Sequence, residues 1–241
     1  MKFIRPFLGC TLIMFVGLCF FVTSAAAQKK DAKERAEAAK TAGDATKVLN
    51  ELMTIPAKSI PQSLLKKAKA IAVFPGVIKA AFIVGGRGGK GLISRRVKGG
   101  WSAPALFKLG GGSVGFQIGG SSTDVVMLFM TDDSLKNLLE DRFEIGGEAA
   151  AAAGPVGRTV RATTDAQLQA EILSYSRSKG VFAGVSISGA VISPDNDANQ
   201  ILYSLDATEL LTGENKVAFN SIPAETAGFH KAITRHAKTV R

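Results

Sequence analysis

Cysteine and histidine are almost missing from this chain of 241 residues. Both cysteines, Cys10 and Cys19, sit in the apolar opening stretch, so residues 28–241 hold no thiol, no disulfide and no cysteine metal ligand. The two histidines are His230 and His236. Six residues apart on a helix, they stand about 240° out of phase and cannot share a metal. A serine nucleophile is therefore short of a base. "GGSVG" at 111–115 does match G-x-S-x-G, with Ser113 in the nucleophile slot. A nucleophile elbow needs strand, turn, helix, whereas the following "FQIGGSSTDVV" reads as strand.

Acidic residues are also absent between positions 80 and 123. This region holds "AAFIVGGRGGKGLISRRVK", in which Gly86, Gly88 and Gly91 satisfy G-x-G-x-x-G. A dinucleotide loop further requires a helix after the glycines and an acidic residue about 20 positions on. The sequel "LISRRVKGGW" is β-branched, basic and a poor helix. The Walker pattern fails as well: Val84 occupies the place of its first glycine, and Gly91 follows Lys90 where Ser or Thr is required. The stretch reads instead as a β-hairpin with its turn in "GGRGGKG". On its second strand Ser94, Arg96 and Lys98 share one face and Ile93, Arg95 and Val97 the other. Arg96 and Lys98 are then expected to face solvent together, as edge-strand protection or as contacts to an anion.

The opening residues carry a positive Lys2/Arg5 region, an apolar run from Phe7 to Val22, and Ala25 and Ala27 before Gln28. This pattern predicts a secretory signal peptide over 1–27. Leu18 stands where lipoprotein processing requires a small residue. The expectation is an exported protein, in the periplasm or associated with the envelope if bacterial. Removing Lys2 and Arg5 from 30 basic residues leaves 28 against 20 acidic ones, a net charge of +8. Such a surplus favours anionic partners.

After the leader, residues 28–59 read as a helical segment, in which Gly43 followed by Asp44 predicts a helix end and a new N-cap. Residues 60–205 form a β-rich core, and 206–241 a C-terminal helical segment packed on it. Twenty of the 26 glycines lie between 85 and 189, where they let strands approach closely or bend. "DVVMLFM" is continuously apolar, as expected of a strand covered on both sides. In "VFAGVSISG", Val181, Ala183, Val185 and Ile187 share a face. "TDDSLKNLLEDRF" predicts a helix capped by Asp132 or Asp133. A last helix is expected from Pro223, aligning Phe229, Ile233 and Val240. The fold class is α+β: a curved, glycine-rich, mostly antiparallel and barrel-like sheet with flanking helices.

Four blocks, "AKAIAVFPGVIKAAFIVGGRGGKGLISRR", "GGWSAPALFKLGGGSVGFQIGGSSTDVVMLFM", "AAAAAGPVGR" and "ILSYSRSKGVFAGVSISGAVI", occur in order and at natural spacing. Together they resemble the SYLF domain family over about residues 60 to 205. The resemblance implies a binding module without catalysis and without a cofactor. It implies lipid binding, phosphoinositides in eukaryotic members, with an actin link in fungal ones and export in bacterial ones. The function expected is non-enzymatic binding of an anionic phospholipid membrane, at about 1 kcal/mol per basic residue near the surface. An acidic envelope protein on the same basic surface is the alternative, and a hydrolase through Ser113 a distant third. No nucleic acid and no metal are expected. The candidate headgroup contacts are Arg87, Lys90, Arg96 and Lys98, with backbone N–H groups of the glycine turn as an anion nest.

Overall fold

The computed structural model describes residues 9–54, 59–81, 84–114, 119–140, 142–157, 170–178, 181–185, 187–213 and 217–237. Ten strands are present among them: β1 (Ala70–Ala81), β2 (Val84–Val97), β3 (Gly100–Trp101), β4 (Ala105–Val114), β5 (Gly119–Phe129), β6 (Phe143–Ile145), β7 (Ala151–Ala153), β8 (Ile172–Ser178), β9 (Val181–Gly184) and β10 (Ala190–Pro194). They form one sheet in the order β6-β10-β4-β2-β1-β5-β8-β7, with β3 added to β2 and β9 to β8. Every pairing is antiparallel except β7 with β8. A single bridge from Ile145, at the end of edge strand β6, to Ala149, just before β7, brings the two edges together. The sheet is a nearly closed barrel, as the sequence leads one to expect.

Alternation along the central strands divides the core in two. Ala70, Ala72 and Phe74 of β1 and Val125, Met127 and Phe129 of β5 fill the barrel interior with Phe107 and Phe143. Ile71 and Val73 with Val126 and Leu128 form the outer face, under the helices. The continuously apolar run at 125–129 is thus buried on both sides. Glycine makes the curvature possible at two places. Gly76, at φ +59°, sits where β1 slips register against both neighbours, and its N–H is held by Asp124 Oδ1 at 2.8 Å. At Gly91 a Cβ would land on the Phe74 ring and the Val73 carbonyl oxygen, so only glycine lets β2 lie against β1 there. In β9 the buried residue is Phe182, while Val181 is 53 % exposed.

Among the described residues six α-helices flank the sheet: α1 (Gly9–Thr54), α2 (Gln62–Lys67), α3 (Asp132–Leu138), α4 (Asn196–Tyr203), α5 (Ala207–Thr212) and α6 (Ala224–His236). Helix α1 runs through Gly43 and Asp44 without the expected break. A mid-helix glycine costs about 1 kcal/mol, and here Ala42, Ala45, Val48, Leu49 and Leu52 are all buried against the outer face and α6. Asp44 is not a cap but the partner of Lys40 at 2.9 Å. The cap of α3 is Thr131, whose hydroxyl accepts from Ser134 N at 3.1 Å, in place of Asp132 or Asp133. Helix α6 begins directly after Pro223 and buries Phe229 and Ile233, as its spacing predicts; Val240 lies outside the described residues.

Candidate functional site

Strand β2 sorts Arg87, Lys90 and Arg96 by parity, and Lys98 follows in the turn after it. Gly85 to Gly91 pair residue by residue with β4, and several also pair with β1, so "GGRGGKG" lies within a strand and is not the expected turn. Its backbone groups belong to the sheet ladder, which leaves no nest there. Lys90 points outward to α1. Its Nζ lies 2.8 Å from Glu37, 3.5 Å from Glu34 and 3.4 Å from Asp195, and Lys108 completes the cluster at 2.8 Å from Asp195. Burial alone would lower the Lys90 pKa, but the hydrogen bond to Glu37 and the surrounding carboxylates outweigh it and raise it. The same bond holds the Glu37 carboxyl below its ordinary value. Lys90 thus ties α1 to the barrel. Arg87 points inward at one mouth of the barrel, where its Nη2 donates to the Ser188 carbonyl at 2.9 Å.

Arg96 does not share a solvent face with Lys98. It is half-buried, and its Nε donates to Ala68 O at 3.0 Å and its Nη2 to Leu65 O at 2.7 Å. These are carbonyls at the end of α2 that no helical N–H reaches. The guanidinium also stacks 4.4 Å from the centre of the Trp101 ring, and burial pulls its pKa below the ordinary value. The covering helices α2 and α6 turn what reads as an exposed strand face into an interior contact; Ser94 on that face is fully buried.

Beyond Arg96, β2 leads into an open cleft of about 700 Å³ between the β2–β3 turn, the end of α5 and α6. The α5 wall is fixed by a capping box, with Asp206 Oδ1 accepting from Glu209 N at 2.8 Å and Glu209 Oε2 from Asp206 N at 2.9 Å. Gly213, at φ +72°, ends the helix. Arg95, Arg96 and Lys98 line the cleft, with Val97, Val217 and Ile222 among its apolar surfaces. None of the described lining residues is acidic. The Arg95 Nη1 reaches Leu211 O only at 3.5 Å, and its Nε is buried without a hydrogen-bond partner. Lys98 is exposed at the turn, next to Gly99 at φ +94°. A cationic cleft with apolar walls can hold an anionic group attached to an apolar body. Arg95 is the residue that sequence reasoning missed. Alternation gives its face, but nothing local says that α5 and α6 stop short of it.

Among the described residues the G-x-S-x-G stretch lies at the end of strand β4, and strand β5 follows it. Ser113 lies in β4 opposite Gly85, with no helix directly after the strand among the described residues. His230 Nε2 lies 3.1 Å from Trp101 O, and His236 Nε2 lies 2.8 Å from Asn50 Oδ1. Burial, with a contribution from Arg235, lowers the His236 pKa.

Residues 110–236, from β4 through the last turn of α6, match the model of the Ysc84 family, described as "Las17-binding protein actin regulator". The chain belongs to the Ysc84 family. This is the kinship that the SYLF-like blocks indicate. Among its relatives is LAS seventeen-binding protein 3 of Saccharomyces cerevisiae, 38 % identical over 153 residues, which cover 62 % of this chain and 33 % of the yeast protein. Protein YSC84 of the same yeast is 36 % identical over 164 residues, 66 % of this chain and 35 % of that one. The human SH3 domain-containing YSC84-like protein 1 is 34 % identical over 179 residues, 70 % of this chain and 52 % of the human protein. The chain therefore spans about a third of the yeast relatives and half of the human one. The first of these is named for binding, and none of the three for a reaction.

They also overturn the expected location. The relatives are fungal and animal proteins named for Las17 binding or an SH3 domain, not for export, a periplasm or an envelope.

Proposed function

We propose that this Ysc84-family domain is a non-catalytic binding module that takes an anionic phospholipid headgroup in the cleft of Arg95 and Lys98. One observation carries the reading: the buried, unpartnered Nε of Arg95 in a cleft whose described lining includes three cations and no acid. A buried donor left unmade is costly and calls for a partner. A phosphodiester supplies acceptors for both guanidinium and ammonium, and the first carbons of the lipid meet Val97, Val217 and Ile222. The chain's net charge of +10 adds long-range attraction to an anionic surface. Of the four residues expected to touch the headgroup, Lys98 keeps that role. Arg96 lines the cleft from behind as a structural residue, and Lys90 serves the α1 contact.

Co-sedimentation with phosphatidylserine and phosphatidylcholine vesicles tests this. The chain should bind the first and not the second, with binding falling as salt rises toward about 0.15 M, where the Debye length is roughly 8 Å. Lys98→Glu should weaken binding more than Lys29→Glu, an equal change in net charge on exposed α1. Equal weakening rejects the cleft, and a parent chain that binds no anionic vesicle at low salt rejects the lipid. The name of a yeast relative, LAS seventeen-binding protein 3, favours a second reading, in which an acidic protein segment occupies the same cleft. It predicts saturable binding of an acidic peptide, lost in Lys98→Glu, without any vesicle.

A further inference from the structure

The other mouth of the barrel holds a second pair of cations. Arg87 and Arg95 are both interior-facing on β2, and eight residues at about 3.3 Å each separate them by roughly 26 Å. Arg87 lies directly opposite Lys79 of β1 in the sheet register. Both side chains line a cavity of about 90 Å³, together with the hydroxyl residues Thr123 and Ser176 over a floor that includes Val77 and Leu109. Like charges placed directly opposite destabilise a strand pair. Among the described residues no carboxylate pairs with either cation. Asp124, close by on β5, is turned to the outer face, where it accepts from Gly76 N at 2.8 Å and from Arg177 Nε at 2.6 Å. Arg87 spends one nitrogen on Ser188 O, and its Nε is buried with no hydrogen-bond partner.

Two opposed cations, an unmade buried donor and two hydroxyl residues around one small cavity describe a place for a compact anion. We propose that the Lys79–Arg87 mouth binds a single phosphate-class oxyanion, either inorganic or the phosphomonoester of a lipid headgroup. The cavity equals about three waters at ~30 Å³ each, which suits one tetrahedral oxyanion and is too small for a nucleotide. The anion relieves the Lys79–Arg87 repulsion and accepts the idle Nε–H in a charge-assisted bond. At the same end of the sheet Ile78, opposite Ser122, is 61 % exposed, and Val181, opposite Ser178, is 53 % exposed. These apolar side chains would meet the acyl region if the anion is a headgroup.

The test uses the full chain and sodium phosphate, read by calorimetry and by melting temperature against sodium chloride at matched ionic strength. The parent should show a saturable phosphate response that chloride does not give. Lys79→Met should weaken phosphate binding about tenfold or more, the loss of one charged hydrogen bond. It should leave the phosphate-free melting temperature unchanged or higher, because the repulsion is gone; a merely structural lysine would lower it. Arg87→Lys, which keeps the charge but not the fork, should weaken phosphate binding as well. Lys29→Met, on exposed α1 and outside both clefts, should bind phosphate as the parent does. Phosphatidate vesicles distinguish the source. Weaker sedimentation of both Lys79→Met and Ile78→Ser assigns a headgroup, and unchanged sedimentation with lost phosphate binding assigns the free anion. The proposal is overturned if phosphate and chloride act alike on the parent, if Lys79→Met binds phosphate undiminished, or if Lys29→Met loses it equally. A parent that binds phosphate but no vesicle would reject the lipid reading of the Arg95 cleft while leaving this site standing.

Discussion

Replacing Arg96 by methionine removes a guanidinium that joins β2 to the end of α2 and to Trp101. The bonds to Leu65 O and Ala68 O, at 2.7 and 3.0 Å, are well formed. The third, to Ala237 O at 3.5 Å, is too long to count. A bond from a charged donor contributes about 1.5–3 kcal/mol, and the lower figure applies to a half-buried group. The stack on Trp101 adds about 1 kcal/mol. Methionine recovers about 1 kcal/mol through packing of its stem. The expected loss is therefore about 3 kcal/mol in urea unfolding, with the slope unchanged. At about 2–4 °C per kcal/mol for a chain of this size, the melting temperature should fall by about 6–12 °C. Arg96→Lys should recover little of this, since one ammonium can neither fork between two carbonyls nor stack as a plane. Lys98→Met, two residues on and exposed, should cost under about 0.5 kcal/mol. A loss below about 1 kcal/mol for Arg96→Met, or a Lys98→Met as costly, would refute the assignment of Arg96 to structure.

The α1 contact should depend on pH. The Glu37 carboxyl, lowered chiefly by its hydrogen bond to Lys90, contributes stability above its ordinary value of 4.5 and loses it as pH falls through the lowered one. The raised Lys90 contributes fully below its ordinary 10.5 and loses its share only as pH rises through the raised value. Hydrogen exchange should therefore show α1 amides loosening in acid before those of β1, and Glu37→Gln should flatten that difference; identical profiles would count against the contact. Gly91→Ala should destabilise by about 2–3 kcal/mol, because its methyl group has the Phe74 ring and the Val73 carbonyl in its way. An alanine variant as stable as the parent in urea would contradict that packing.

The period-2 pattern, the helix start at Pro223, the basic surplus and the family blocks were all legible in the sequence. Each is carried by contiguous residues, and burial of a face follows from alternation alone. The run at 125–129 needs no knowledge of its neighbours to be read as doubly buried. Gly43 and "GGRGGKG" were misread because a glycine seen locally signals a stop or a turn. In the fold, the buried stripe of α1 outweighs the cost of Gly43, and the glycines of β2 continue the ladder because Val77 and Phe74 press against Gly89 and Gly91. The roles of the basic residues were beyond the sequence for a related reason. Alternation assigns Lys90, Arg95 and Arg96 to faces, but the partners of Lys90 and Arg96 come from α1 and α2, tens of residues away in the chain, and the cleft around Arg95 is walled by α5 and α6. Whether a cation becomes a clamp, a latch or an open site depends on which carbonyls and carboxylates the packed helices bring to it. Only the tertiary structure decides that.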